Sequence, residues 1–201
     1  MIFKDINNYI SDLKLSNIAD TRLDNLNKII QYIQKAKNKN EEINLNFICT
    51  HNSRRSQFAQ IWASVLAYKA KINIAFYSGG VEVTELNKSI VHCLESIGFN
   101  IYSEGDINPK YHISYSKHQN PIIAFSKLYN DLYNPTSNFA AIMTCNDADS
   151  NCPIIQGAIQ RISFTFDDPK MYDNTNKETK MYNKCSKEIA RELLYIFSKI
   201  K

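Results

Sequence analysis

One stretch of the chain decides the fold class: Ile43-Asn44-Leu45-Asn46-Phe47-Ile48-Cys49-Thr50-His51-Asn52-Ser53-Arg54-Arg55-Ser56. Apolar and polar residues alternate from Ile43 to Ile48, which predicts a β-strand that ends at Cys49. From Ser56 to Lys69 the apolar residues recur at helical spacing. The polar segment between them is therefore a loop that joins the end of a strand to the N-terminus of a helix.

The same alternation of strands and helices continues along the chain. Strands are predicted over residues 72–77, 121–125 and 139–144, and helices over residues 86–97 and 177–198. This order indicates an α/β fold with a mostly parallel sheet flanked by helices. Ligands of such sheets bind outside the carboxyl ends of the strands, where both Cys49 and Cys145 are predicted to lie. Residues 106–119 look irregular and exposed.

Residues 1–42 precede this pattern and have a different character. Apolar residues at helical spacing predict two helices, one around Ile6 and Ile10 and one around Leu26 and Ile33. The polar residues 35–42 then read as a solvated hinge. We interpret residues 1–42 as an N-terminal helical extension of an α/β domain at 43–201.

Composition limits the classes of function. The chain has 201 residues, of which 44% are hydrophobic and 22% charged, as in a globular protein. It contains no apolar run of ~18 residues and no secretory signal, so we expect no membrane span. Five cysteines in a chain of this kind indicate a reducing, cytoplasmic environment. The net charge of +4 comes without long Lys/Arg blocks, so nucleic-acid binding is not expected.

The loop after Cys49 has the features of an oxyanion site. Backbone N–H groups of a strand-to-helix loop converge with the positive end of the helix dipole, and this field favours a thiolate at Cys49 as the nucleophile. Five residues separate Cys49 from Arg55, whose guanidinium can bind two oxygens of a tetrahedral anion. The alternative is a cysteine that merely ends a core strand. The predicted substrate-binding residues are Thr50, His51, Asn52, Ser53, Arg54 and Ser56.

A second pair of cysteines, Cys145 and Cys152, stands seven positions apart with a polar segment between. Zinc knuckles use closer spacing and a second ligand pair, so no metal site is predicted. The pair is placed for thiol–disulfide exchange with Cys49, and two unrelated core cysteines are the alternative.

A turn near residue 168 offers a carboxylic acid. Asp168 precedes Pro169, and a residue before proline favours extended backbone, so its carboxyl group is held in a stiff loop. Near an anion site such a group can protonate a leaving oxygen. An ordinary surface turn is the alternative.

Three motifs in order resemble the low-molecular-weight protein tyrosine phosphatase superfamily, and more specifically its thioredoxin-coupled arsenate reductases. The pattern of that branch is a Cys-Thr-x-Asn-Ser-x-Arg-Ser loop, a Cys-x6-Cys-Pro segment rich in Asp, and a Phe-Asp-Asp-Pro turn. This chain has them at residues 49–56, 145–153 and 166–169, and the resemblance covers about residues 43–200.

The resemblance implies a reaction sequence. Cys49 would attack arsenate held by Arg55 and the loop amides, while Asp168 protonates the leaving hydroxyl. Cys145 would then attack Cys49 and expel arsenite, and Cys152 would resolve the disulfide. The implied electron donor is thioredoxin or a similar reductant, with no tightly bound cofactor.

Three positions depart from the family pattern. His51 stands where the family usually has Gly, and Arg54 replaces a common Cys. Gln60 stands where the reductases often carry a glutamate that helps to bind a monovalent cation, which leaves such a cation site open.

Two other functions fit part of the pattern. A phosphatase acting on a phosphotyrosine protein or a small phosphate ester needs only Cys49, Arg55 and Asp168. A non-catalytic protein could use the loop to bind phosphorylated partners, although it would need neither nucleophile nor acid.

Overall fold

The computed structural model describes residues 1–151 and 154–201. Its helices are α1 (Lys4–Ser11), α2 (Asp20–Asn38), α3 (Arg55–Ala70), α4 (Lys88–Ile97), α5 (Asn146–Asn151) and α6 (Glu178–Ser198). Its strands are β1 (Asn44–Cys49), β2 (Ala75–Gly80), β3 (Asn100–Glu104), β4 (Lys110–Ser114), β5 (Ile122–Ala124), β6 (Phe139–Met143) and β7 (Ala158–Ser163). Short 3-10 helices cover Leu15–Asn17 and Pro169–Tyr172.

The central sheet is parallel and has the strand order β2-β1-β6-β7. Its interior strands β1 and β6 are almost entirely buried, as expected for a sheet that is covered on both faces. The predicted α/β fold is therefore confirmed. The carboxyl ends of β1 and β6 lie side by side, because Ile48 is paired with Met143 and the amide of Thr144 donates to the carbonyl of Ile48 at 2.7 Å.

Two expectations about strands were wrong. Residues 110–114, expected to be irregular and exposed, form the middle strand of a separate antiparallel sheet with the order β3-β4-β5. Tyr111 and Ile113 alternate into the core there, with exposures of 8% and 0%. Strand β2 begins three residues later than predicted, because Ala75 is the residue that pairs with Asn44 at the start of β1, and the pairing ends with Gly80 opposite Cys49.

The N-terminal helices pack into the same hydrophobic core as the rest of the chain. Ile6 of α1 and Leu26 and Ile33 of α2 are fully buried there. The ring of Tyr9 stacks on Trp62 of α3, with 5.4 Å between centroids. Residues 1–42 thus help to build the core, and the domain boundary at residue 42 stays a prediction. None of the helices in the described part of the chain is apolar and long enough to span a membrane.

Candidate active site

Cys49 lies at the carboxyl end of β1, and the loop after it turns directly into α3. Cys49 is 4% exposed. The backbone amide of Asn52 and the hydroxyl of Ser56 both contact Sγ, at 3.1 and 3.0 Å. Asn52 Nδ2 donates to Ser56 Oγ at 2.9 Å, which leaves the serine proton free to point at the sulfur. Two donors therefore converge on Sγ, an arrangement that stabilises a thiolate.

The loop is held in shape from outside by its neighbours. Asn52 has a left-handed backbone with φ 48°, a conformation that asparagine tolerates. Its Oδ1 accepts the amide of Lys127 at 3.1 Å, and its carbonyl accepts Gln57 Nε2 at 2.9 Å. A Cβ at Gly80 would lie 2.7 Å from the carbonyl oxygen of Thr50, so only glycine fits beside the loop. These contacts with the rest of the protein fix the conformation of the loop without help from a bound anion.

Arg55 and Asp168, predicted from separate motifs, are in direct contact. Arg55 donates from one terminal nitrogen to Asp168 Oδ2 at 2.5 Å and from the other to the carbonyl of Phe166 at 3.0 Å. Its buried Nε has no hydrogen-bond partner among the described residues. Asp168 Oδ1 accepts the amide of Lys170, which fixes the carboxyl group. The structure therefore brings the proposed acid to the proposed anion-binding group.

Arg54 is bound in a hydrogen-bond network that the sequence did not reveal. Its Nε donates to the hydroxyl of Tyr182 and its terminal nitrogen to Asp173, both at 2.6 Å. Tyr182 in turn donates to Asp173 at 2.7 Å. Burial, followed by the hydrogen bond with Asp173, raises the pKa of the Tyr182 phenol, so it remains a neutral donor. The turn at residues 166–169, which carries Asp168, is called the acid turn below. The network links the loop after Cys49 to Asp173, which lies just beyond this turn.

Two other loop side chains also face protein groups. His51 lies 3.3 Å from Glu82 and is partly exposed, while Ser53 Oγ donates to the carbonyl of Glu85 at 2.6 Å. Contact between these two residues and an anion would therefore come through the backbone amides of the loop.

Cys145 lies two residues after the end of β6 and is fully buried. Thr50 Oγ1 lies 3.5 Å from its Sγ and also donates to Asp147 Oδ2 at 2.8 Å. The amide of Ala148 donates to the sulfur at 3.3 Å. Cys49 and Cys145 belong to one small apolar cluster, which comprises Ile48, Cys49, Phe139, Ala141, Met143, Cys145, Ala148 and Ile155. Cys152 lies outside the described residues.

The thiols Cys93 and Cys185 have a different environment. Burial raises the pKa of Cys93 to about 11 and that of Cys185 to about 12. Both remain neutral at physiological pH and act as packing groups.

Lys127 is a buried charge beside the loop that the sequence did not indicate. Lys127 is 4% exposed, and its Nζ has no hydrogen-bond partner in the described part of the chain. The ammonium lies 4.6 Å from the centroid of the Phe125 ring. Burial lowers the pKa of Lys127 to about 8, with Asp131 opposing the effect. The folded protein therefore holds this proton less tightly than the unfolded chain does.

Lys127→Met is expected to stabilise the protein. At pH 7 the buried ammonium costs free energy, so its removal should raise the free energy of unfolding by about 3 kcal/mol. The gain should shrink to less than half at pH 10, because the unfolded chain also loses the proton as the pH approaches 10.5. Urea denaturation at both pH values measures it. Lys117→Met, at an exposed lysine, is the control and should change little. An equal gain at both pH values would contradict the prediction.

Gln60 stands where related reductases often carry a glutamate that helps to bind a monovalent cation. Its Nε2 donates to the carbonyl of Phe76 at 3.3 Å, and its buried Oε1 has no partner among the described residues. Gln60 therefore supplies one neutral amide oxygen, without the negative charge that a glutamate would bring. Within residues 1–151 and 154–201, no group of three or more His, Cys, Asp or Glu side chains could hold a metal ion.

Comparisons with known proteins identify similar sequences and similar folds. No protein-family model matches the chain. An arsenate reductase from Staphylococcus epidermidis RP62A is 30% identical over 125 residues, which cover 61% of this chain and 76% of that protein.

Two solved structures share the fold. A low molecular weight phosphotyrosine phosphatase from Vibrio cholerae O395 superimposes with a TM-score of 0.53 at 12% identity, over 78% of this chain and 94% of its own. An arsenate reductase from Archaeoglobus fulgidus DSM 4304 gives 0.51 at 15% identity, over 77% and 98%. The chain therefore belongs to the low-molecular-weight protein tyrosine phosphatase superfamily and is a relative of its arsenate reductases.

Proposed function

We propose that this protein is an arsenate reductase that uses Cys49, Cys145 and Cys152 in turn. The observation that carries the proposal is the placement of two thiols at neighbouring strand ends. Cys49 sits in the oxyanion loop, Cys145 shares its apolar cluster, and Thr50 contacts the Cys145 sulfur. A phosphatase needs the first thiol and has no use for the second.

The first step is nucleophilic attack by the Cys49 thiolate on arsenic. The loop amides and the unpartnered Nε of Arg55 bind the arsenate oxygens. Asp168, which lies against Arg55, gives a proton to the departing oxygen, and water leaves. The product is a covalent Cys49–arsenate adduct, with arsenic still in its +5 state.

The second step transfers two electrons. The Cys145 thiolate attacks Cys49 Sγ, the sulfur–arsenic bond breaks, and its electron pair leaves with arsenic as arsenite. Cys152 then attacks Cys145, which releases Cys49 and forms a Cys145–Cys152 disulfide. Overall, arsenate and two thiols give arsenite, one disulfide and water. An external dithiol of the thioredoxin type restores the two thiols.

Hydrolysis of phosphate esters, including phosphotyrosine, remains the second candidate, because it needs only Cys49, Arg55 and Asp168. It would use the same oxyanion loop and the same contact between Arg55 and Asp168.

Disulfide mapping tests the proposal. The fully reduced protein is exposed to a few equivalents of arsenate without added reductant, quenched with an alkylating agent and digested. We expect arsenite in proportion to enzyme and a peptide pair joined through Cys145 and Cys152. Phosphate in place of arsenate is the control and should leave all thiols reduced. If arsenate gives no disulfide while the enzyme hydrolyses an aryl phosphate, the phosphatase is the correct function.

A further inference from the structure

Arg22 of α2 connects the N-terminal helices to the acid turn, residues 166–169. Its guanidinium forms a two-pronged ion pair with Glu192 of α6, at 2.7 and 3.0 Å. Glu192 is 5% exposed, so this pair is largely shielded from water. Two parallel hydrogen bonds fix the plane of the guanidinium as well as its position.

The fixed guanidinium covers the ring of Phe166. Arg22 Cζ lies 5.0 Å from the ring centroid, within the range of a cation–π contact. The same ring packs edge-on against Phe164 at 4.8 Å. Phe166 is 8% exposed, so its ring is confined by Arg22 and by the core.

The backbone of Phe166 forms hydrogen bonds with two different parts of the site. Its carbonyl accepts Arg55 at 3.0 Å, and its amide donates to the carbonyl of Thr144, directly before Cys145, at 3.3 Å. Asp168 follows two residues later and is itself bonded to Arg55. A shift of the Phe166 backbone would therefore move the acid relative to the anion site.

We propose that Arg22 is a positioning residue, which holds the acid turn so that Asp168 is aligned with the oxyanion. The inference rests on the proposed arsenate reductase function. In this way the N-terminal helices affect catalysis, although Arg22 does not contact the substrate. The guanidinium fixes the Phe166 ring, the ring fixes the backbone of the turn, and the turn presents Asp168.

Point substitutions test this inference better than truncation, because α2 buries Leu26, Ile29 and Ile33 in the shared core. Arg22→Gln should lower kcat for arsenate roughly 10-fold and leave KM within about twofold, because an acid displaced by a fraction of an ångström loses efficiency. Arg22→Lys keeps a cation near the ring but cannot form the two-pronged pair with Glu192, so it should restore only part of the rate. Lys28→Gln, on an exposed face of the same helix, is the matched control and should behave as the wild type.

A double-mutant cycle with Asp168→Asn separates positioning from general loss of structure. When the acid is absent, its position no longer matters, so Arg22→Gln should slow Asp168→Asn by less than about twofold. Phe166→Leu keeps the backbone bonds of the turn and removes the ring. It should reproduce the Arg22→Gln effect, and it serves as the test if Arg22→Gln does not fold.

The outcomes distinguish this inference from the proposed function. A wild type without arsenate turnover refutes the proposed function and the inference with it. A wild type that turns over, with Arg22→Gln unchanged or with losses that multiply in the cycle, overturns the role of Arg22 alone.

Discussion

Replacing Cys49 by serine is expected to abolish arsenate reduction, with kcat falling roughly 10⁴-fold or more. A serine hydroxyl at this position remains protonated at neutral pH, because the two donors that contact Sγ cannot supply the proton acceptor an alcohol needs. Serine also cannot form the disulfide that carries the electrons away. Coupled reduction assays and quantification of arsenite measure the loss.

The loop itself should survive this substitution. The left-handed Asn52, its bond to Lys127 and the close approach of Gly80 do not involve the sulfur. Phosphate binding by the Cys49→Ser variant, measured by calorimetry, should therefore stay within roughly 10-fold of the wild type. Ser56→Ala is the companion variant. It removes one of two donors to the sulfur and should cost roughly 10- to 100-fold in kcat. Residual turnover above about 1% in Cys49→Ser would show that another group is the nucleophile.

The sequence predicts the centre of this site better than its surroundings, for a physical reason. Cys49 and Arg55 are six positions apart on one strand-to-helix connection, so local periodicity alone places them together. The contact between Arg55 and Asp168 spans 113 positions, and only the family's order of motifs indicated it. Chemical type and local spacing are visible in a sequence, whereas the packing of distant segments is not.

The residues that were missed illustrate the same limit. Tyr182 and Asp173 hold Arg54, yet Tyr182 is one of twelve tyrosines and lies 128 positions from its partner. Lys127 has no motif around it, and its burial follows from the way in which β5 and the loop meet. Strand β4 was misread because its alternation is short and its flanks are polar, although pairing with β3 and β5 stabilises it. Each error concerns a partner supplied by tertiary structure.

Replacing Cys145 by serine is expected to separate the two chemistries that Cys49 can support. Arsenate turnover should fall at least roughly 10³-fold, because the adduct on Cys49 can no longer be attacked by a thiol. Hydrolysis of an aryl phosphate, if the wild type has any, should stay within about threefold, since it requires only Cys49, Arg55 and Asp168. The buried hydroxyl would replace the sulfur beside Thr50 and the amide of Ala148, so the fold should tolerate it.

The contrast between the two activities makes the Cys145 test informative. A variant that merely unfolds loses both reactions, whereas a variant that lacks the relay loses only the one that needs electrons. Cys93→Ser provides the matched control, because Cys93 is also buried but packs against helix residues away from the loop. It should retain both activities apart from a modest loss of stability. If Cys145→Ser retained arsenate turnover while Cys49→Ser did not, Cys152 or a thiol from outside the protein would have to release the arsenic. Cys145 would then be a core residue that takes no part in the relay.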